Sequence, residues 1–135
     1  MFRLSAISLL SFLGIMLFSA ACSACARMPV KLSEKDTMST VEMYIGDTLE
    51  VVLRGNPTTG YIWGVSSVDT ATLRQVGQTA FIADTKARGS GGKMTMRFRA
   101  VAAGQTVLKL IYHRPFERNT PPINTFEVSV FVKEK

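Results

Sequence analysis

The chain has 135 residues, of which 47% are hydrophobic, and a formal net charge of +6. This length and apolar content suit one domain with a single core. The basic residues are scattered along the sequence rather than clustered in one block, which argues against a nucleic-acid-binding stripe and favours a solvated surface.

The N-terminal segment has the features of an export signal. Arg3 precedes an apolar run over 4–18 that is too short for a comfortable bilayer span, and small residues follow it. We therefore predict a signal peptide over 1–21, a polar tether over 22–39 and one domain over 40–135. A retained N-terminal membrane anchor is the alternative for the same segment.

Two modes of signal cleavage stay open. The sequence Ser-Ala-Ala-Cys at 19–22 resembles a bacterial lipobox with Ser in place of the first Leu, which would make Cys22 the lipidated residue. The alternative is the Ala-Cys-Ala sequence at 24–26, with cleavage before Arg27. In both cases we expect the protein outside the cytosol, as a periplasmic or cell-surface lipoprotein or as a secreted protein. Both cysteines lie too near the leader to staple the domain, so its stability must come from the core.

Short apolar runs, several of them alternating with polar residues, predict about seven strands. The clearest period-2 pattern spans 94–100, where Met, Met, Phe and Ala alternate with Thr, Arg and Arg. Gly46-Asp47 predicts a hairpin or a corner between the first two strands, and Gly77 weakens the pattern of the fourth. The predicted strands lie at 41–45, 48–53, 61–68, 73–82, 94–100, 107–112 and 126–132. No helical period follows the leader, so the predicted fold class is all-β, a single immunoglobulin-like antiparallel β-sandwich.

A rigid turn of small residues lies between two predicted strands, with the sequence Asn-Pro-Thr-Thr-Gly-Tyr-Ile-Trp at 56–63. Pro57 fixes its own φ and restricts Asn56, and Gly60 adopts a positive φ without steric cost. The two threonines between them are left at the tip. The pattern predicts a loop that projects from the domain with little conformational freedom.

Two further turns follow, Gly-Ser-Gly-Gly at 89–92 and His-Arg-Pro-Phe at 113–116. Glycines let a backbone approach a partner closely, and Arg and aromatic side chains often anchor interfaces. Together with 56–63, these turns resemble the motifs of the chagasin family of cysteine protease inhibitors, NPTTG(Y/F)xW, GxGG and RPW, in the same order and at similar spacing. The resemblance covers roughly residues 38–134, and the joint occurrence of three motifs makes it specific.

The resemblance implies a reversible, tight-binding inhibitor of papain-like cysteine proteases that occludes the active-site cleft with three loops. It implies that Thr58 and Thr59 enter the cleft and that Trp63 is structural. Family members have Trp where this chain has Phe116. Phe keeps an aromatic ring but lacks the indole N–H, which predicts a weaker or shifted preference for the protease. The implied contact loops are 56–61, 89–92 and 114–116, with the residues Asn56, Pro57, Thr58, Thr59, Gly60, Tyr61, Gly89, Ser90, Gly91, Gly92, Arg114, Pro115 and Phe116.

An enzyme is not expected from this sequence. His113 is the only histidine, both cysteines lie in or near the leader, and no carboxylate pair or metal-ligand spacing stands out. We predict a monomer with no cofactor, no metal and no nucleic-acid partner, and with membrane contact only through a lipid at Cys22. The competing class is a non-inhibitory exported adhesion or ligand-binding sandwich, which also exposes loops at one end.

Overall fold

The computed structural model describes residues 27–135, so the predicted signal peptide and Cys22 lie outside the described residues. Within this range the chain forms nine strands and two short 3-10 turns, at Glu34–Asp36 and Pro57–Thr59. The strands are β1 (Val30–Leu32), β2 (Ser39–Tyr44), β3 (Thr48–Gly55), β4 (Ile62–Ser67), β5 (Leu73–Gln75), β6 (Ala80–Ala83), β7 (Gly92–Ala100), β8 (Gly104–His113) and β9 (Asn124–Lys133).

The strands form two sheets that enclose the core. In the five-stranded sheet, β1, β3 and β7 lie side by side, and both β5 and β6 pair with the other edge of β7. The four-stranded sheet has the order β2-β9-β8-β4. The all-β immunoglobulin-like sandwich is therefore confirmed, with nine described strands where the sequence predicts about seven. Most pairings are antiparallel, but β1 runs parallel to β3 and β2 runs parallel to β9.

Two local features differ from the sequence prediction. Residues 30–39 belong to the sandwich rather than to a tether, because β1 pairs with β3 and places Leu32 in the core. A three-residue strand is too short to show a period. The strand predicted over 73–82 is two strands, β5 and β6, because the chain turns between them at Gly77, whose φ is +72°.

Alternate residues of the strands fill the core. In β7, Met94, Met96 and Phe98 are buried and the residues between them face outward, as the period-2 pattern predicts. The turn at Gly46-Asp47 carries the chain from β2 in one sheet to β3 in the other, so it is a corner and not a hairpin.

The two ends of the sandwich carry different parts of the chain. At one end, β3 runs into the first motif turn, β7 leaves the second and β8 runs into the third. At the opposite end, a guanidinium nitrogen of Arg27 lies 3.8 Å from a carboxylate oxygen of Asp47, and the Ile45 N–H donates to the carbonyl of Lys133 at 3.0 Å. The described N- and C-terminal segments therefore lie together, away from the motif turns.

The range 27–135 holds no helix with the length and apolar character that a bilayer crossing needs.

Candidate functional site

The first motif turn is held in one shape by its own hydrogen bonds. Asn56 begins the 3-10 turn over Pro57–Thr59, and its side-chain oxygen accepts from the Thr58 N–H at 3.2 Å. The Thr59 hydroxyl donates to the Asn56 carbonyl at 2.6 Å, and the Gly60 N–H donates to the Pro57 carbonyl at 3.0 Å. Gly60 closes the turn at a φ of +83°, where a side chain would be strained. Thr58 and Thr59 lie exposed at the tip, as predicted.

A side-chain hydrogen bond joins the first turn to the second. Nδ2 of Asn56 donates to the carbonyl of Gly89 at 3.0 Å. The second turn is closed by Ser90, whose N–H donates to the Ala87 carbonyl at 3.2 Å and whose hydroxyl donates to the Gly91 carbonyl at 2.9 Å. One asparagine therefore orders the first turn and ties it to the second.

Arg114 joins the third turn to the first. Its Nε donates to the carbonyl of Thr59 at 3.1 Å, and its guanidinium carbon lies 4.4 Å from the centre of the Tyr61 ring. Its Nη1 donates to Glu117 at 3.0 Å, and this hydrogen bond is the main cause that raises the pKa of Arg114 above its ordinary value. The guanidinium is therefore charged and held in place between the two turns.

The ring of Phe116 lies against the first turn. A Cβ at Gly60 would come within 3.1 Å of two ring carbons, so glycine leaves the space that the ring uses. The ring is nevertheless 69% exposed, and Pro115 beside it is exposed as well. Phe116 thus has one edge braced by the first turn and a large apolar surface available to a partner.

Two aromatic residues lie beneath the turns and position them. The hydroxyl of Tyr112 accepts from the Asn56 N–H at 2.9 Å, and its ring centre lies 5.1 Å from that of Trp63 and 5.4 Å from that of Tyr61. Trp63 is buried and donates its indole N–H to the Arg54 carbonyl at 2.8 Å, in keeping with the structural role that the resemblance implies. The sequence prediction did not single out Tyr112. The one feature that could have indicated a role in the site is its place at the end of a strand that runs into the third turn.

Gly92 differs from the other predicted contact residues because it is buried. It begins β7 opposite Gly55, and a Cβ there would lie 2.0 Å from the carbonyl oxygen of Ile82. The close packing of β6 on β7 therefore requires glycine at this position, whatever binds outside. The other predicted contact residues lie in or beside the three turns, which the structure brings together at one end of the sandwich.

The site is an exposed surface of turns, at which Thr58, Thr59, Pro115 and Phe116 are open to solvent. Within residues 27–135, no three His, Cys, Asp or Glu side chains are grouped so that they could hold a metal ion. His113 ends β8 opposite Ile62 of β4, the strand-end position that the sequence predicts. Fold and site together define an immunoglobulin-like sandwich that exposes three turns at one end, the first of them hydrogen-bonded to each of the other two.

Comparison with known proteins identifies the family. The sequence model described as "Chagasin family peptidase inhibitor I42" matches residues 42–130, and the chain belongs to this family. Amoebiasin-1 of Entamoeba histolytica is 31% identical over 107 residues, which cover 77% of this chain and 100% of that protein. Chagasin of Trypanosoma cruzi is 29% identical over 93 residues, which cover 66% of this chain and 84% of that protein. The crystal structure of the cysteine protease inhibitor EhICP2 from Entamoeba histolytica is similar with a TM-score of 0.68 at 27% identity, over 77% of this chain and 95% of that one.

The family resemblance drawn from the three motifs is thereby confirmed. The protein is an inhibitor of cysteine proteases rather than an enzyme, as the sequence predicts. The family model covers most of the described domain, because its match begins in β2 and ends in β9.

Proposed function

We propose that the protein blocks papain-like cysteine proteases by filling their active-site cleft with the turn at 57–59, flanked by the turns at 89–92 and 114–116. The observation that carries this proposal is the coupling of the turns: Asn56 donates to the second turn, and Arg114 donates to the first. Because the first turn is bonded to both of the others, the three turns enter a cleft as one preformed wedge, and little conformational entropy is lost on binding.

The shape of the first turn also explains how it escapes cleavage. A papain-like protease holds its nucleophilic Cys and general-base His across a groove that receives an extended peptide. The main chain at Pro57–Thr59 is a 3-10 turn, and Gly60 has a left-handed conformation, so this segment is not extended. To be acylated, the turn would have to unfold and break the hydrogen bonds that Asn56 and Arg114 make to it.

Exposed side chains supply anchors on both sides of the tip. Thr58 and Thr59 occupy the tip itself, and Phe116 offers an aromatic surface that is 69% exposed. Arg and aromatic residues are common interface hot spots. Three turns at one end of a small sandwich bury on the order of 800 Å² per partner, the usual scale of protease–inhibitor complexes.

A charge-matched pair of variants tests the proposal. Thr58→Lys/Thr59→Lys places two charged side chains at the tip, and we expect inhibition of papain to fall by more than about 100-fold, since both charges would have to enter the cleft. The control is Thr70→Lys/Ala71→Lys, at two exposed positions beyond the far end of β4. The control should unfold within about 4 °C of the unmodified protein because surface substitutions change stability little. The tip variant also loses the hydrogen bond from the Thr59 hydroxyl, about 1 kcal/mol, so it should unfold no more than about 8 °C lower. Undiminished inhibition by the tip variant would reject the loop assignment, and no inhibition by any form would show that papain is not a target of this inhibitor.

Mass spectrometry separates occlusion from slow cleavage. After long incubation of the inhibitor with an excess of papain, we expect an intact chain. A cut between Thr58 and Gly60 would show that the turn unfolds into the extended conformation of a substrate.

We also propose that the protein acts outside the cytosol as a monomer, with Cys22 as its lipidated residue. The apolar run at 4–18 and the Ser-Ala-Ala-Cys sequence at 19–22 support export and lipidation. Labelling of cells with a fatty-acid analogue should mark the protein but not its Cys22→Ser variant. Label on neither form, together with a mature N-terminus at Arg27, would favour the secreted alternative.

A further inference from the structure

The outer face of the five-stranded sheet carries a concentration of positive charge that the sequence order conceals. Basic residues that are scattered along the chain lie on alternate positions of β1, β3, β5 and β7, and alternation turns them all away from the core. We name this surface the basic face, and we infer that it docks on a bilayer surface rich in anionic phospholipid. Its basic residues are Lys31, Arg54, Arg74, Lys93, Arg97 and Arg99.

Like charges lie directly opposite one another on the basic face. In the pairing of β5 with β7, Arg74 is opposite Arg99, and in the pairing of β3 with β7, Arg54 is opposite Lys93. Like charges in such positions destabilise a sheet. Glu50 of β3 also lies on this face, opposite Lys31 and Arg97, and it offsets part of their charge. The Arg74–Arg99 pair has no such acidic neighbour in register, so folding gives no reason for that pair, whereas binding to a negative surface does.

The outer face of the four-stranded sheet shows the opposite arrangement. There Lys109 of β8 is opposite Glu127 of β9, and Nζ of Lys133 lies 2.7 Å from a carboxylate oxygen of Glu42. This face is balanced, with unlike charges across neighbouring strands. The excess of positive charge is thus a property of one side of the sandwich and not of its whole surface.

Most cations of the basic face have no ionic partner in the described part of the chain. Arg54 is paired with Asp84, and Nε of Arg97 lies 3.0 Å from a carboxylate oxygen of Glu50. For the other four, no carboxylate oxygen within residues 27–135 comes closer than 4.0 Å. Those four side chains remain available to lipid phosphates.

An exposed apolar side chain on the same face favours a bilayer over a soluble polyanion. Ile82 of β6 is opposite Lys93 of β7, so both side chains lie on one side of the sheet, and Ile82 is 70% exposed. Basic residues that surround an exposed aliphatic side chain are typical of surfaces that lie on anionic membranes, where the cations meet phosphates and the aliphatic group enters the interface.

The basic face lies on the side of the sandwich, whereas the motif turns lie at its end. Arg74 and Arg99 are in the half remote from these turns, since Arg99 is opposite Thr48, the first residue of β3, and β3 meets the first turn at its last residue. Replacement of Arg74 and Arg99 therefore changes the basic face without touching the turns, so its effect on bilayer docking can be measured apart from inhibition.

Two pairs of variants with the same change in net charge test the inference. Arg74→Gln/Arg99→Gln removes two cations from the basic face, and Lys109→Gln/Lys133→Gln removes two from the balanced face. Every protein carries Cys22→Ser and the same N-terminus, so that no attached lipid contributes to binding. Sedimentation with vesicles of phosphatidylglycerol and phosphatidylcholine, against vesicles of phosphatidylcholine alone, measures the partition coefficient.

We expect binding to the anionic vesicles only, and weaker binding as salt is raised. The first pair should lower the partition coefficient by about thirtyfold, because each basic residue near an anionic surface contributes about 1 kcal/mol, and the second pair by less than about threefold. Inhibition of papain should be unchanged in both. Equal losses of the partition coefficient for the two pairs would show that only net charge matters, which would overturn the inference. Equal binding to both kinds of vesicle, or binding to heparin without binding to vesicles, would overturn it as well.

Discussion

Removal of the hydrogen bond between Asn56 and Gly89 measures how much the coupling of the first and second turns contributes to inhibition. Asn56→Asp keeps the side-chain oxygen that accepts from the Thr58 N–H, so the first turn retains its own shape. It replaces Nδ2, which donates to the Gly89 carbonyl at 3.0 Å, with an oxygen that repels that carbonyl. Loss of such a hydrogen bond costs about 1 kcal/mol, and the repulsion raises this to about 1–2 kcal/mol. We therefore expect the inhibition constant to rise about fivefold to thirtyfold.

The assay is a titration of papain with the inhibitor, followed with a fluorogenic peptide. Asn119→Asp is the matched control, because this exposed asparagine carries the same change of charge in the segment after the third turn. Hydrogen exchange of residues 85–91 provides a second readout, since a second turn that is released from the first should exchange faster. Equal inhibition constants for the two variants, with unchanged exchange, would refute the idea that the turns act as one unit.

Three further predictions concern single side chains. Gly92→Ala should lower the free energy of unfolding, measured in urea, by about 2–4 kcal/mol, because its Cβ would lie 2.0 Å from a backbone oxygen. Gly91→Ala is the control: the nearest atom to its Cβ is 3.7 Å away, and it should change this free energy by less than about 0.5 kcal/mol. Phe116→Trp should lower the inhibition constant for papain about fivefold by adding apolar contact area, and a weaker inhibitor would contradict the proposed place of this ring at the interface. Trp63→Phe should lower stability by about 1–3 kcal/mol by leaving the Arg54 carbonyl without its donor, yet a thermal melt and a papain titration should show that inhibition survives.

Much of the fold follows from the sequence because alternation reports burial directly. The pattern at 94–100 predicts β7 and its buried face, and it is confirmed residue by residue. The parallel pairing of β2 with β9 has no local signal, because it joins segments that are far apart in the chain. The three residues of β1 are likewise too few to establish a period, so the sequence predicts a tether where the structure has a strand.

The three turns were predicted from their composition, but their mutual contacts were not. Proline and glycine in fixed places predict a stiff turn at 56–60. Nothing local indicates that Arg114 donates to Thr59, or that Tyr112 accepts from Asn56, since both contacts depend on how two strands bring distant residues to one end. The basic face was missed for a related reason: its residues are separated along the sequence, and pairing of the strands gathers them.

The meeting of both described chain ends at the pole remote from the motif turns has a practical meaning. A fusion partner, a solid support or an affinity tag joined near either Arg27 or Lys133 emerges at the end of the sandwich remote from the three turns. Attachment through either terminal segment therefore leaves the three turns uncovered.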